Sequence, residues 1–165
     1  MIKLKTPITN EDIDKLKIKD KVLISGDIYT GRDAVLPKLV KLIKKGNKLP
    51  FSLKGSIFLH TAVSVAGISP TSSNKKEIEL PMILLSNKGV KIHIGKGSLS
   101  TDTTKDLRDA VFIVTPSVAG ILTKTIIRKK IVAFEEEGIE AIFKLTVKDF
   151  PGIVAISKGE SIFNQ

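Results

Sequence analysis

The strongest constraint on this chain is the brevity of its apolar runs. KVLIS at 21–25, GSIFLHT at 55–61, VSVAGI at 63–68, VKIHIG at 90–95 and AVFIVT at 110–115 all stop at turn residues. Runs of that length suit strands, and helical patterns separate several of them, which predicts an α/β or α+β chain. Residues 32–45 set Val35, Leu36, Leu39, Val40, Leu42 and Ile43 close to helical period, ending at Gly46. Pro37 inside that stretch predicts a kink or a shortened helix. KKEIELPMILLSNKG reads as a helix with Pro81 as a second tension, and TDTTKDLRD as a short one. PSVAGILTKTI (116–126) starts a helix with proline at an early position. The last third reads mostly as strand, with alternation over 141–147 and a turn at 149–152. No repeat, low-complexity tract or linker interrupts the pattern, so one domain over 1–165 is expected.

Composition narrows the partners. The chain carries no cysteine, so it offers no thiolate to zinc or to an iron–sulfur cluster. No apolar stretch approaches the ~20 residues of a membrane span. The opening MIKLKTPITNEDIDKLK has no uninterrupted apolar core of signal-peptide length, so the expected compartment is the cytoplasm. The net charge of +10 is spread along the sequence and only 5% of residues are aromatic, which argues against nucleic-acid binding. The densest basic cluster, KLVKLIKK at 38–45, has the spacing of a helix's outer face.

Three loops have the chemistry to hold an anion. In SGDIYTGRDA (25–34), Thr30-Gly-Arg-Asp33 fits a capping box with Thr30 as N-cap. Gly31 would let the backbone approach a ligand, and Arg32 could grip a carboxylate through two parallel hydrogen bonds. The plainer alternative is a capped helix with a solvated or Asp-paired arginine. The second loop, Ser69-Pro-Thr-Ser-Ser-Asn-Lys75, crowds Thr71, Ser72 and two further hydroxyls ahead of a helical pattern. Its hydroxyls and amides could orient a carboxylate or phosphate, but taken alone an ordinary Ser/Thr/Asn-rich cap turn is the favoured reading. The third, Gly95-Lys-Gly-Ser-Leu-Ser100, gives Lys96 glycine neighbours but lacks the longer spacing of a phosphate-binding P-loop. His60 and His93 lie in apolar strand patterns, which favours a structural role. Glu135-Glu136-Glu137, before Gly138, reads as a solvated turn rather than a metal site. No nucleophile–base constellation is evident, and the three loops look like half of a site.

Their order and spacing resemble the β subunit, or C-terminal domain, of iron–sulfur-dependent class I fumarate hydratases and L(+)-tartrate dehydratases. The matching stretches are Ile24-Ser-Gly-Asp-Ile-Tyr-Thr-Gly-Arg-Asp-Ala34, Pro70-Thr-Ser-Ser73, Gly95-Lys-Gly-Ser-Leu-Ser100, Val132-Ala-Phe-Glu-Glu-Glu-Gly-Ile-Glu-Ala-Ile142 and Val147-Lys-Asp-Phe-Pro151. The resemblance implies a single swivelling β/β/α-type domain with a mixed central sheet and flanking helices. It also implies a hetero-oligomer with a cysteine-bearing α subunit that carries a [4Fe-4S] cluster, one iron of which stays open to the substrate hydroxyl. The implied activity is a hydro-lyase acting on a small dicarboxylate: reversible hydration of fumarate to malate, or dehydration of tartrate. By the same resemblance Arg32 matches a carboxylate-binding arginine, Thr71 a threonine of proton transfer at carbon, and Lys96 an active-site lysine. Gly31, Ser72, Lys75 and Gly97 complete the expected substrate-binding set.

The chain departs from the family pattern at three places. Lys75 stands for a second arginine four residues after the threonine, Leu36 followed by Pro37 for a histidine, and Thr61-Ala62 for a Gly-Pro turn. These departures keep open a diverged, non-catalytic binding or scaffold subunit, and beyond it a basic nucleic-acid or phosphometabolite binder.

Overall fold

The computed structural model describes residues 1–68, 75–115 and 119–163, with the backbone alone at 75–77. Its strands are β1 (Ile2–Lys5), β2 (Lys21–Thr30), β3 (Ile57–Leu59), β4 (Val63–Ser64), β5 (Gly67–Ile68), β6 (Ile92–Gly95), β7 (Val111–Val114), β8 (Ile126–Ala133), β9 (Ile142–Ser157) and β10 (Glu160–Ser161). The helices are α1 (Asn10–Lys15), α2 (Leu36–Lys44), α3 (Lys75–Asn87), α4 (Thr101–Asp106) and α5 (Ala119–Lys124), with a 3-10 segment at Glu135–Glu140.

The central sheet is mixed, and it closes on itself. β2, β3, β6 and β7 run parallel in that order, and β9 pairs antiparallel with both β7 and β2. The seam lies at Ile153, which faces Lys21 of β2 and Val114 of β7. β1 extends the sheet beyond β2, and β8 pairs with the first half of β9.

Side chains alternate across the strands, and the two faces fill two cores. Ile57 and Leu59 of β3, Ile92 and Ile94 of β6, and Val111 and Ile113 of β7 join Val22, Ile24, Ile28, Phe150 and Val154 in one cluster. Phe58, Phe112 and Ile156 point the other way, onto Leu36 and Leu39 of α2 and Ile78, Met82 and Leu85 of α3. Burial on both faces explains why β3, β6 and β7 read as continuous apolar runs.

Two expectations need correction, and one is met: the helix that holds Pro37 is shortened, spanning only Leu36–Lys44. The strand that begins with KVLIS does not stop at residue 25 but continues through Thr30. The expected turn at 149–152 is no reversal, because β9 passes straight through it. Asp149 takes a left-handed φ of 55° opposite a register shift between Ile24 and Gly26, and its N–H donates to Ser25 Oγ at 3.0 Å. That is a bulge, which bends a strand without ending it. Helix α2 begins at Leu36, so Pro37 sits in its first turn, where a missing N–H costs nothing. Pro81, by contrast, lies well inside α3, which runs through it.

Gly152 marks the closure seam. A Cβ there would lie 2.3 Å from Ile113 Cγ2 and 3.4 Å from the Val114 carbonyl oxygen. Both neighbours belong to β7, so relief means pushing β7 from β9. Gly152→Val should therefore lower unfolding free energy by about 2–3 kcal/mol in urea titration; an unchanged midpoint would show that the seam yields.

Candidate functional site

Parallel strands deliver their C-terminal ends to one rim, the usual place for a ligand in such sheets. Here the rim is stitched by backbone hydrogen bonds: Gly31 N–H donates to the Leu59 carbonyl at 3.1 Å, and His60 N–H to that of Ile94 at 2.8 Å. Gly31-Arg32, His60-Thr61 and Gly95-Lys96-Gly97 therefore leave adjacent strands side by side. Two of the three sequence-predicted loops thus open on one rim, with the end of β3 between them. The third, with Thr71 and Ser72, lies outside the described residues, and Lys75 is the first residue of α3.

The first loop differs from its expected form. Thr30 is not an N-cap: it ends β2, is fully buried, and its Oγ1 accepts the N–H of Phe143 at 3.1 Å. Val35 occupies the cap position of α2 without a side-chain cap bond. The reciprocal capping box belongs instead to Thr9 and Asp12 at α1. The first free amides after the motif are also taken, since the Arg32 carbonyl accepts from Val35 N–H at 3.1 Å and Leu36 N–H at 2.9 Å. Arg32 thus stands on a tight turn ahead of the helix, not at a free helix terminus. Gly31 is closely packed: a Cβ would lie 3.3 Å from the Val35 side chain, which would have to shift by a few tenths of an ångström, and in ordinary contact with Phe58 and Leu36.

Arg32 is a quarter exposed and faces Glu140, not Asp33. Its Nε lies 3.5 Å from Glu140 Oε1, an ion pair by distance that does not complete a hydrogen bond. The segment carrying Glu140 is fastened to α2, where Lys38 Nζ donates to Glu136 Oε1 at 3.1 Å and Glu137 Oε1 at 2.5 Å. The same ammonium stands 5.6 Å over the Phe134 ring. Glu137 first, then Glu136, hold the Lys38 ammonium above its ordinary range. The acidic triplet is thus solvent-facing, as expected, yet it also pins the turn beneath Arg32.

Lys96 is exposed and has no ion-pair partner among the described residues. Gly97 adopts φ 84°, a left-handed turn that glycine permits. The loop's far end is fixed by Glu79 of α3, whose Oε1 accepts the Ser100 N–H at 2.6 Å, and by Ser100 Oγ capping α4.

Beneath this rim lie two buried histidines. His60 and His93 are 2% and 0% exposed, with near-parallel rings 5.8 Å apart. Ser86 Oγ spends its one proton on the Met82 carbonyl at 2.8 Å, so at 2.8 Å it must accept from His93 Nε2–H. His93 is therefore the Nε2 tautomer, with a bare Nδ1. Burial pushes His60 down to about 4, with the Gly31 backbone drawing it back only in part. Burial, then the neighbouring His60, holds His93 well below the ordinary histidine range. Among the described residues neither nitrogen of His60 completes a hydrogen bond, Gly31's proximity notwithstanding.

The donor set decides what cofactor these residues can hold. The chain has no thiolate, and no three His, Cys, Asp or Glu side chains converge among the described residues. An iron–sulfur cluster does not fit these residues. The described concavities lie elsewhere: one of about 370 Å³ is lined by Asn10, Asp14, Lys91, Arg108, Asp109 and Lys158, at the opposite ends of the parallel strands. Among the described residues the rim carries two cationic side chains, Arg32 and Lys96. No helix among the described residues is long and apolar enough to cross a membrane.

Known proteins share this chain's pattern almost end to end. A Methanocaldococcus jannaschii protein provisionally named L(+)-tartrate dehydratase subunit beta is 33% identical over 175 residues, covering 96% of this chain and 89% of that protein. A Geobacillus stearothermophilus protein provisionally named fumarate hydratase class I is 30% identical over 98% of this chain. The anaerobic class I fumarate hydratase of Escherichia coli is 27% identical over 93% of it. The chain spans 33% and 30% of these two longer proteins. The Fumarase C-terminus family matches residues 1–165, and with a mixed sheet that brings the Gly-Arg-Asp and Gly-Lys-Gly loops to one rim, the chain belongs to that family.

Proposed function

We propose that this chain is the β-type subunit of an iron–sulfur hydro-lyase acting in the cytoplasm on a small hydroxy-dicarboxylate, of the fumarate–malate or tartrate kind. The observation that carries the reading is the rim itself: Arg32 and Lys96 leave the same ends of two parallel strands, β2 and β6, that flank β3, in a chain that has no thiolate of its own. Reversible dehydration needs two carboxylates held, a proton moved at carbon, and the hydroxyl made a better leaving group. Arg32, Lys75 and Lys96 supply the cationic grip, and Gly31 and Gly97 shape the turns beside it. Lys96 also lowers the cost of negative charge developing next to a carboxylate. The hydroxyls of Thr71 and Ser72 orient the substrate, and Thr71 handles the proton at carbon. Polarising the leaving hydroxyl falls to a cysteine-bearing α subunit, where the family resemblance puts the [4Fe-4S] cluster.

The deciding experiment is anaerobic co-purification with the cysteine-bearing partner, followed by dehydration assays on malate and tartrate. Association with turnover is expected; failure to bind any such partner would refute the reading. One observation favours a second reading, a scaffold subunit without chemistry. Leu36, where the family pattern has histidine, is fully buried against Gly31 and the cluster of Phe58 and Phe112, so that position carries no ionisable group. Association without turnover, with the partner's cluster intact, would select that alternative.

A further inference from the structure

A guanidinium presents two faces to carboxylates: the edge formed by Nε and one Nη, and the end formed by both Nη groups. In Arg32 the first is engaged. Nε and Glu140 Oε1 face each other at 3.5 Å, both sealed from solvent, and neither has a hydrogen-bond partner among the described residues. Yet the Arg32 side chain as a whole keeps 25% of its exposure. Neither Nη is among the sealed unpartnered atoms, and the described ion pairs of Arg32 reach no acceptor other than Glu140. The pairing fixes one edge and leaves the end of the fork open.

Glu140 is held in place by a backbone built for the purpose. Phe134 enters the 3-10 segment in left-handed conformation, and Gly138, at φ 59° and ψ −120°, kinks it two residues before Glu140. Lys38 anchors the start of the segment through Glu136 and Glu137. Thr30 Oγ1 anchors its exit through the N–H of Phe143. Residue 140 is therefore clamped on both sides to the strand and helix that flank Arg32.

We propose that Glu140 is a positioning residue for substrate binding: it holds the Nε side of Arg32 so that the paired Nη groups face the rim and take a substrate carboxylate. The inference rests on the reading of Arg32 as a carboxylate anchor. Glu140 also opposes binding, since its negative charge reduces the net pull on an anion. The two effects move KM in opposite directions, which makes the proposal decidable. A carboxylate sealed against Nε costs little affinity for an anion on the far side of the fork. A guanidinium free to rotate must be re-ordered at each binding event.

The test uses the chain in complex with its α partner. Glu140→Gln keeps the side chain's shape and removes its charge; it should raise KM for the dicarboxylate about tenfold and alter kcat less than twofold. Glu140→Asp, charged on a shorter stem, should fall between the two. On an Arg32→Lys background, Glu140→Gln should add less than twofold, because lysine has no Nε edge to hold. Binding of a non-reacting dicarboxylate, followed by calorimetry, should weaken in parallel with KM, while thermal unfolding separates lost folding from lost positioning. An unchanged or lowered KM in a folded Glu140→Gln enzyme would overturn the proposal, as would full additivity with Arg32→Lys. If Arg32→Lys alone leaves KM unchanged, the anchor reading itself fails and the proposal falls with it. A damaged Arg32→Lys beside an unaffected Glu140→Gln removes the proposal alone.

Discussion

Arg32→Lys should reduce kcat/KM of the assembled enzyme by about 10- to 100-fold, with most of the loss in KM. A charge-assisted hydrogen bond to a carboxylate contributes about 1.5–3 kcal/mol, and each 1.4 kcal/mol is one decade. Lysine keeps the charge but offers a point rather than a planar fork, so at least one of two parallel bonds is lost. The substrate carboxylate is present in ground and transition states alike, which is why binding suffers more than turnover. Lysine also abandons the sealed contact of Nε with Glu140 and leaves that buried carboxylate oxygen without its cation. Steady-state kinetics on malate and tartrate read the effect, and an enzyme indistinguishable from wild type would remove Arg32 from the site.

Acid should unfold this chain earlier than its surface charges alone predict. His60 and His93 are both held below the ordinary 6.5, the first to about 4, because burial disfavours the imidazolium. The unfolded chain takes up these protons near pH 6.5, whereas the native chain refuses them until far lower. Their contribution to stability is therefore complete above pH 6.5 and drains away as the pH falls, for His60 towards about 4. For His60 alone a displacement of that size corresponds to about 3 kcal/mol. Urea midpoints at pH 7.5 and 4.5 should differ accordingly. His60→Gln, less stable at neutral pH, should show a visibly flatter profile. Parallel profiles for wild type and variant would mean that His60 titrates normally in the folded chain.

That those histidines sit in apolar strand patterns is legible in the sequence, but their burial is not. With Ile92 and Ile94 facing one core, His93 points to the other face, and only the helices packed there bury it. The order of elements is legible too, since strand and helix periods differ in local sequence. Local rules fail where distant residues decide local form. Thr30-Gly-Arg-Asp33 has all the residues of a capping box, yet Thr30 spends its hydroxyl on Phe143, which no local rule anticipates. The stretch at 149–152 has turn residues but is bridged by β2 on one side, so it bulges instead of reversing. The short alternation of the opening MIKLK seats Leu4 in the core as strand β1. Glu140 lies within a stretch that matches the family, but its sequence neighbours carry no sign that an arginine far away in the chain lies against it. At the site, the two loops that share the rim each stand out by composition, whereas their placement at one rim comes only with the parallel pairing of β2, β3 and β6.

The seam between β9 and β2 also sets an order of events during synthesis. Translation releases β2 early and its antiparallel neighbour β9 late, with every other strand of the ring emerging between them. Until then β2 has an open edge and the inner core lacks Leu145, Val147, Phe150 and Val154. Pairings so distant in sequence are slow to form, and nascent chains with unpaired edges aggregate. The ring is thus assembled after most of the chain has left the ribosome, and Arg32 acquires Glu140 only in that closing step.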